Sequence, residues 1–186
     1  NKRQYSLVGD PAIVLNVPVA TCVVDRINGM KVGESGMLKL NANSKVRIKG
    51  HVSDGQNVMS DFCGLLSMLV RDNREMLECL GNDPELDEVF TYNDRTKTLF
   101  SGTDSVRNGL FDITFVVPKD INYSDENGLI TMFAYTSDGK ITAHGECDDF
   151  LVGGYTTQHN DSIGPSVYCY LNSPMFVNGG DVNSTP

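Results

Sequence analysis

Ile130-Thr131-Met132-Phe133-Ala134-Tyr135-Thr136-Ser137-Asp138-Gly139-Lys140 decides the fold. Its first seven residues alternate between two faces, the period of a half-buried β-strand. Ser137-Asp138-Gly139-Lys140 then joins this pattern to a second one at Ile141 with minimal loop. Asp-Gly reaches positive φ at low cost, as a tight hairpin demands. The stretch therefore predicts two antiparallel neighbours in a sheet.

The same grammar extends in both directions. Lys45 to Ser53 puts Val46, Ile48 and Val52 on one face, with Lys45, Arg47 and Lys49 as the solvated face. Leu110 to Val117 sets Phe111, Ile113, Phe115 and Val117 against Asp112 and Thr114. Val167 to Leu171 alternates likewise, and Leu65 to Val70 is almost continuously apolar, as in a strand covered on both faces. Asn28-Gly29, Asp54-Gly55, Asn108-Gly109 and Asn127-Gly128 read as further turns. Only Arg74 to Leu80 could be a helix, and it is barely two turns long. Many short strands at regular spacing predict an all-β chain: an antiparallel β-sandwich, immunoglobulin-like or macroglobulin-like, with little or no helix.

Three zones are expected. Residues 1–18 read as the tail of a preceding domain, too short to fold alone. Residues 19–154 carry most strands. Residues 155–186 either begin a following immunoglobulin-like domain or give an edge strand to this one. Both termini read as cuts within a longer chain, so an export signal would lie outside it.

A net charge of −9 and a pI near 4.7 oppose nucleic-acid binding, since the 15 basic residues are scattered and a phosphate backbone needs them clustered. No apolar run approaches the roughly 20 residues that span a bilayer. No glycine-rich loop leads from a strand into a helix, so nucleotide binding has no support. No cofactor is expected. The five cysteines include no C-x-x-C pair. Cys63, Cys147 and Cys169 lie in apolar, strand-like surroundings and read as buried small hydrophobes, with one disulfide as the alternative. The odd count leaves at least one thiol unpaired.

His144-Gly145-Glu146-Cys147 is the tempting catalytic constellation, because a thiol nucleophile needs an imidazole base. Residues three apart on a strand point to opposite faces, so the pair is not expected to meet and no catalytic residue is assigned. Asn122-Tyr123-Ser124-Asp125-Glu126-Asn127-Gly128 looks superficially like a calcium loop, but Tyr123 occupies the first ligand position. A solvated hairpin loop is the expectation. Any surface calcium would fall to Asp125, Asp148 and Asp149. With no Trp in the chain, Tyr168 and Tyr170 on one strand face are the candidates for stacking a ligand.

Several phrases together resemble one family. Tyr5-Ser6-Leu7-Val8-Gly9-Asp10-Pro11-Ala12 is similar to the close of the catalytic domain in gingipain-family cysteine peptidases. Asp61-Phe62-Cys63-Gly64, Leu99-Phe100-Ser101-Gly102, Ser105-Val106-Arg107-Asn108-Gly109-Leu110-Phe111 and Val117-Pro118-Lys119-Asp120-Ile121-Asn122-Tyr123 resemble the region downstream of that domain in the type IX secretion sortases. Asp161-Ser162-Ile163-Gly164-Pro165 and Phe176-Val177-Asn178-Gly179-Gly180 extend the resemblance to nearly the whole chain. Cys63, where a polar residue is usual, and Leu110, where Lys is commoner, depart from it.

The resemblance implies a parent exported to the surface or outer membrane of a Bacteroidota-type bacterium. That parent would remove C-terminal sorting domains from secreted cargo, with its Cys and His upstream of Asn1. The segment itself would be a non-catalytic structural and docking module. Its partners would be the preceding protease domain, the following immunoglobulin-like domains and outer-membrane attachment-complex proteins. Asp104-Ser105-Val106 and Asp161-Ser162-Ile163 are similar to O-glycosylation sites of such bacteria, which makes Ser105 and Ser162 candidates. The alternative function is a carbohydrate- or glycolipid-binding module built on Tyr168 and Tyr170.

Overall fold

The computed structural model describes residues 17–34, 38–81 and 89–157. Their strands are β1 (Ala20–Ile27), β2 (Met30–Lys31), β3 (Lys39–Ala42), β4 (Lys45–Ser53), β5 (Gly64–Arg71), β6 (Glu75–Glu78) and β7 (Thr91–Asp94). After these come β8 (Thr98–Val106), β9 (Leu110–Val116), β10 (Glu126–Asn127), β11 (Leu129–Thr136), β12 (Thr142–Cys147) and β13 (Leu151–Tyr155). No helix occurs among the described residues, so the all-β reading stands.

The alternation seen in sequence is the alternation of burial. In β11, Ile130, Met132 and Ala134 are buried while Phe133 and Tyr135 face out. In β4, Val46, Ile48 and Val52 are buried beneath exposed Lys45, Arg47 and Lys49. β11 and β12 form the expected hairpin, paired from Ile130↔Cys147 to Tyr135↔Thr142. Its loop is the expected Ser137-Asp138-Gly139-Lys140, closed by Thr136 and Ile141. Thr136 N–H donates to the Ile141 carbonyl at 3.0 Å, and Thr136 Oγ1 donates to Asp138 Oδ1 at 2.6 Å.

The main sheet runs β8-β5-β11-β12-β1-β4-β9, with β2 added to β1. It is barrel-like rather than the plain sandwich expected. Its two end strands are consecutive in the chain, joined at Arg107-Asn108-Gly109-Leu110 by reciprocal backbone bonds of 2.9 and 3.0 Å. Asn108 and Gly109 have φ of 51° and 73°, both positive as this tight hairpin type requires. Phe100 of β8 stacks on Phe115 of β9 with centroids 4.6 Å apart. β1 and β12 run parallel at Ala20↔Ala143 and Thr21↔His144, a second departure from the antiparallel expectation. The core inside this wall includes Ile27, Ile48, Leu66, Met68, Val70, Ile130 and Val52.

A smaller sheet, β10-β13-β3, carries Leu40 and Val152 into the same core, and β6 and β7 form a separate hairpin. The only segment with helical potential is thus strand β6, paired from Glu75↔Asp94 to Glu78↔Thr91. Four residues gain more from a ladder with β7 than from one isolated helical turn. Asn127-Gly128 is not a turn: Asn127 ends β10, and the positive φ falls on Asp125 at 57°. Nor is β5 covered on both faces. Leu66, Met68 and Val70 are buried, whereas Leu65 is 46% exposed.

Candidate functional site

β12 holds His144 and Cys147 on opposite sides of the sheet, His144 exposed and Cys147 buried. His144 pairs with Thr21, so Cys22, one residue further along β1, points inward as well. Burial pushes the Cys22 thiol up to about 11 and the Cys147 thiol up in the same direction. A nucleophilic thiol needs the opposite shift. His51 is engaged elsewhere, its Nδ1 lying 2.9 and 3.0 Å from the two oxygens of Asp25.

The four described cysteines are free thiols. Cys147 is buried as expected, but Cys63 is exposed. Phe62 takes the inward position there, and Cys63 lies in the loop just before β5 rather than in a strand, turned to solvent. Cys169, Ser162, Tyr168 and Tyr170 lie outside the described residues.

Two clefts open on the main sheet. The larger, about 930 Å³, lies where β1 and β12 diverge after their short parallel contact, between Cys22-Val23-Val24 and Glu146-Cys147-Asp148. The second, about 510 Å³, has mixed charge from Asp25, Arg26, Lys49, Asp104, Arg107 and Asp112. Ser105, half-buried in β8, lines this second cleft, and its N–H donates to Asp104 Oδ1 at 2.6 Å.

Asp125 forms an ion pair with Lys39 at 2.8 Å and packs over Gly153. Asp148 and Asp149 are exposed beside β12. Among the described residues, no group of three or more His, Cys, Asp or Glu side chains converges as a metal site. No helix among them is long and apolar enough to cross a membrane.

A pair of aromatic residues that no sequence motif singles out completes the surface. Phe133 and Tyr135 stand on the outer face of β11 with ring centroids 6.2 Å apart, exposed by 44% and 39%. Beside them a hollow of about 160 Å³ is lined by Ser67, Leu69, Thr131 and Phe133. Two aromatics at i and i+2, opposite the buried set of the same strand, were the available signal.

The described residues define an all-β module, a curled, barrel-like sheet with Cys22 and Cys147 buried in it and Cys63 and Cys79 exposed. Among solved structures, dimeric latent PorU from Porphyromonas gingivalis is similar to 91% of this chain, with 28% sequence identity and a TM-score of 0.68. The chain spans 16% of the length of that protein. The sporulation control protein Spo0M from Bacillus subtilis aligns over 75% of this chain and 51% of its own, at 13% identity and a TM-score of 0.40. A β-glucosidase from Listeria innocua aligns over 73% of this chain and 16% of its own, at 13% identity and a TM-score of 0.28. Neither of these two carries an argument. No protein-family model and no curated protein matches the chain.

Proposed function

We propose that this chain is a non-catalytic structural and docking module of a type IX secretion sortase. The parent would be a gingipain-family cysteine peptidase of the bacterial cell surface, acting on the C-terminal sorting domains of exported cargo. The carrying observation is the likeness to PorU, which covers 91% of the chain at 28% identity. The geometry agrees with a supporting role. His144 and Cys147 occupy opposite sides of β12, and the described buried thiols are shifted away from nucleophilic character. In this reading the barrel-like sheet braces the protease domain and spaces it from the immunoglobulin-like domains on its other side.

The test is made in the parent protein. Removing residues 20–155 should leave cargo carrying its sorting domain, while the protease domain still reacts with an active-site thiol probe. Normal cargo processing by the shortened protein would overturn the proposal.

A further inference from the structure

We propose that the outward face of β5, β11 and β12 binds a neutral saccharide chain through the Phe133–Tyr135 ring pair. This goes beyond the docking role and does not depend on it.

The register builds the surface. Phe133 has Ser67 as its neighbour on β5 and His144 on β12. Ser67 in turn faces Thr103 of β8, extending the row. In the next rows, Leu65 pairs with Tyr135 and Leu69 with Thr131. The result is a patch with aromatic and aliphatic side chains at its centre and hydroxyls close around them. These grid positions hold no Lys or Arg. Arg71, the next outward residue of β5 beyond Leu69, lies at one margin, its guanidinium donating to the Arg95 carbonyl at 3.4 Å. His144 and Glu146 lie at the β12 margin.

A pyranose ring has an apolar C–H face and a rim of hydroxyls. The C–H face stacks on an aromatic ring, and the rim needs short polar partners beside that ring. The hollow next to Phe133 supplies both within about 160 Å³, room for one sugar ring: an aromatic wall, the Leu69 side chain, and the Ser67 and Thr131 hydroxyls. Tyr135, 6.2 Å further on and tilted by 35°, offers a second platform to the next ring of a bent chain.

Charge selects among saccharides. With no Lys or Arg beside the rings, and with the marginal Arg71 already turned to the Arg95 carbonyl, a phosphorylated or uronic chain finds no cation beside the stacking rings to neutralise it. A protein partner fits less well, because stable interfaces bury about 800 Å² per side around an apolar core. Here the strongly exposed apolar side chains of the patch are Leu65, Phe133 and Tyr135.

The test is an NMR titration of the 186-residue chain with cellohexaose, xylohexaose, mannohexaose and maltohexaose, and with a hexagalacturonate as the anionic arm. At least one neutral hexasaccharide should shift the amides of Leu65, Ser67, Thr131, Phe133 and Tyr135. Phe133→Ala and Tyr135→Ala should each weaken that binding at least about tenfold, equivalent to about 1.4 kcal/mol, while Tyr135→Phe keeps most of it. Both positions are exposed, so a dispersed spectrum will show that the variants remain folded. Absence of shifts with all four neutral chains would overturn the proposal. So would shifts unaffected by Phe133→Ala and Tyr135→Ala, binding of the anionic hexamer alone, or self-association of the chain through this patch.

Discussion

Gly145 meets the backbone carbonyl of Cys22 so closely that a Cβ at position 145 would run into that oxygen. The contact belongs to the short parallel junction where β12 joins β1, and through it the sheet is continuous between β11 and β4. The obstacle is backbone, which cannot rotate away as a side chain can.

Gly145→Ala should therefore force β1 and β12 apart and destabilise the protein by about 2–4 kcal/mol. Gly139→Ala is the control: it meets open space and suffers only from its φ of 70°, costing about 1–2 kcal/mol. Thermal unfolding of the two variants compares these costs. Equal losses would show that the junction is looser than described.

Thiol reactivity should divide the cysteines. In a Cys169→Ser background, Cys63 and Cys79 should react with an aromatic disulfide reagent at once, and Cys22 and Cys147 only on unfolding. Because burial raises the Cys22 pKa to about 11, the folded state holds that proton more tightly than the unfolded state. Its contribution is fully present below the ordinary thiol range and is lost as pH rises toward 11. Cys22→Ala should flatten that alkaline decline in Tm.

The Arg47 guanidinium grips Asp112 with two bonds, of 2.7 and 2.5 Å, and Lys49 adds a third contact at 3.4 Å. These partners hold the Asp112 carboxyl below its usual range, Arg47 foremost. A depressed carboxyl stabilises the fold above its unfolded pKa, and that gain disappears as pH falls through the folded value. Because the pair is more than a third exposed, Asp112→Asn should cost at most about 1 kcal/mol at neutral pH. The difference in Tm between the two proteins should vanish on acidification, and a difference that persists in acid would rule out the ion pair as its source.

Asp72 is fully buried at the end of β5 and accepts two backbone bonds, from Asn73 N–H at 2.8 Å and Asn122 N–H at 2.6 Å. It ties the main sheet to the segment that leads into β10. Asp72→Ala would strand both donors, at about 2–4 kcal/mol by chemical denaturation, and Asp72→Asn, which keeps an acceptor, should lose less. A neutral Asp72→Ala would mean that water replaces the carboxylate.

Particular residues show how far the sequence could be read. Val46, Ile48, Phe111, Ile113 and Ile130 are buried as their alternation predicts, because on a strand the face is set by position alone. Leu65 to Val70 misled, since an apolar run suits both a two-sided strand and a strand with an apolar outer surface. What covers Leu65 depends on distant neighbours, and the described residues leave it 46% exposed. Phe133 and Tyr135 were visible as an i, i+2 pair, but their meaning came only with Ser67 and Thr131 placed beside them.

Local chemistry by itself determined that the chain is extended, where most of its turns fall and which side of each strand is oily, because backbone preference and strand periodicity act over a few residues. The tertiary structure alone decided that β5 lies between β8 and β11, that β1 lies parallel to β12, and that Ser67 and Thr131 stand beside Phe133. Those features join residues far apart in the chain. They are chosen by which strand registers bury all the oily faces at once, a condition no single stretch contains.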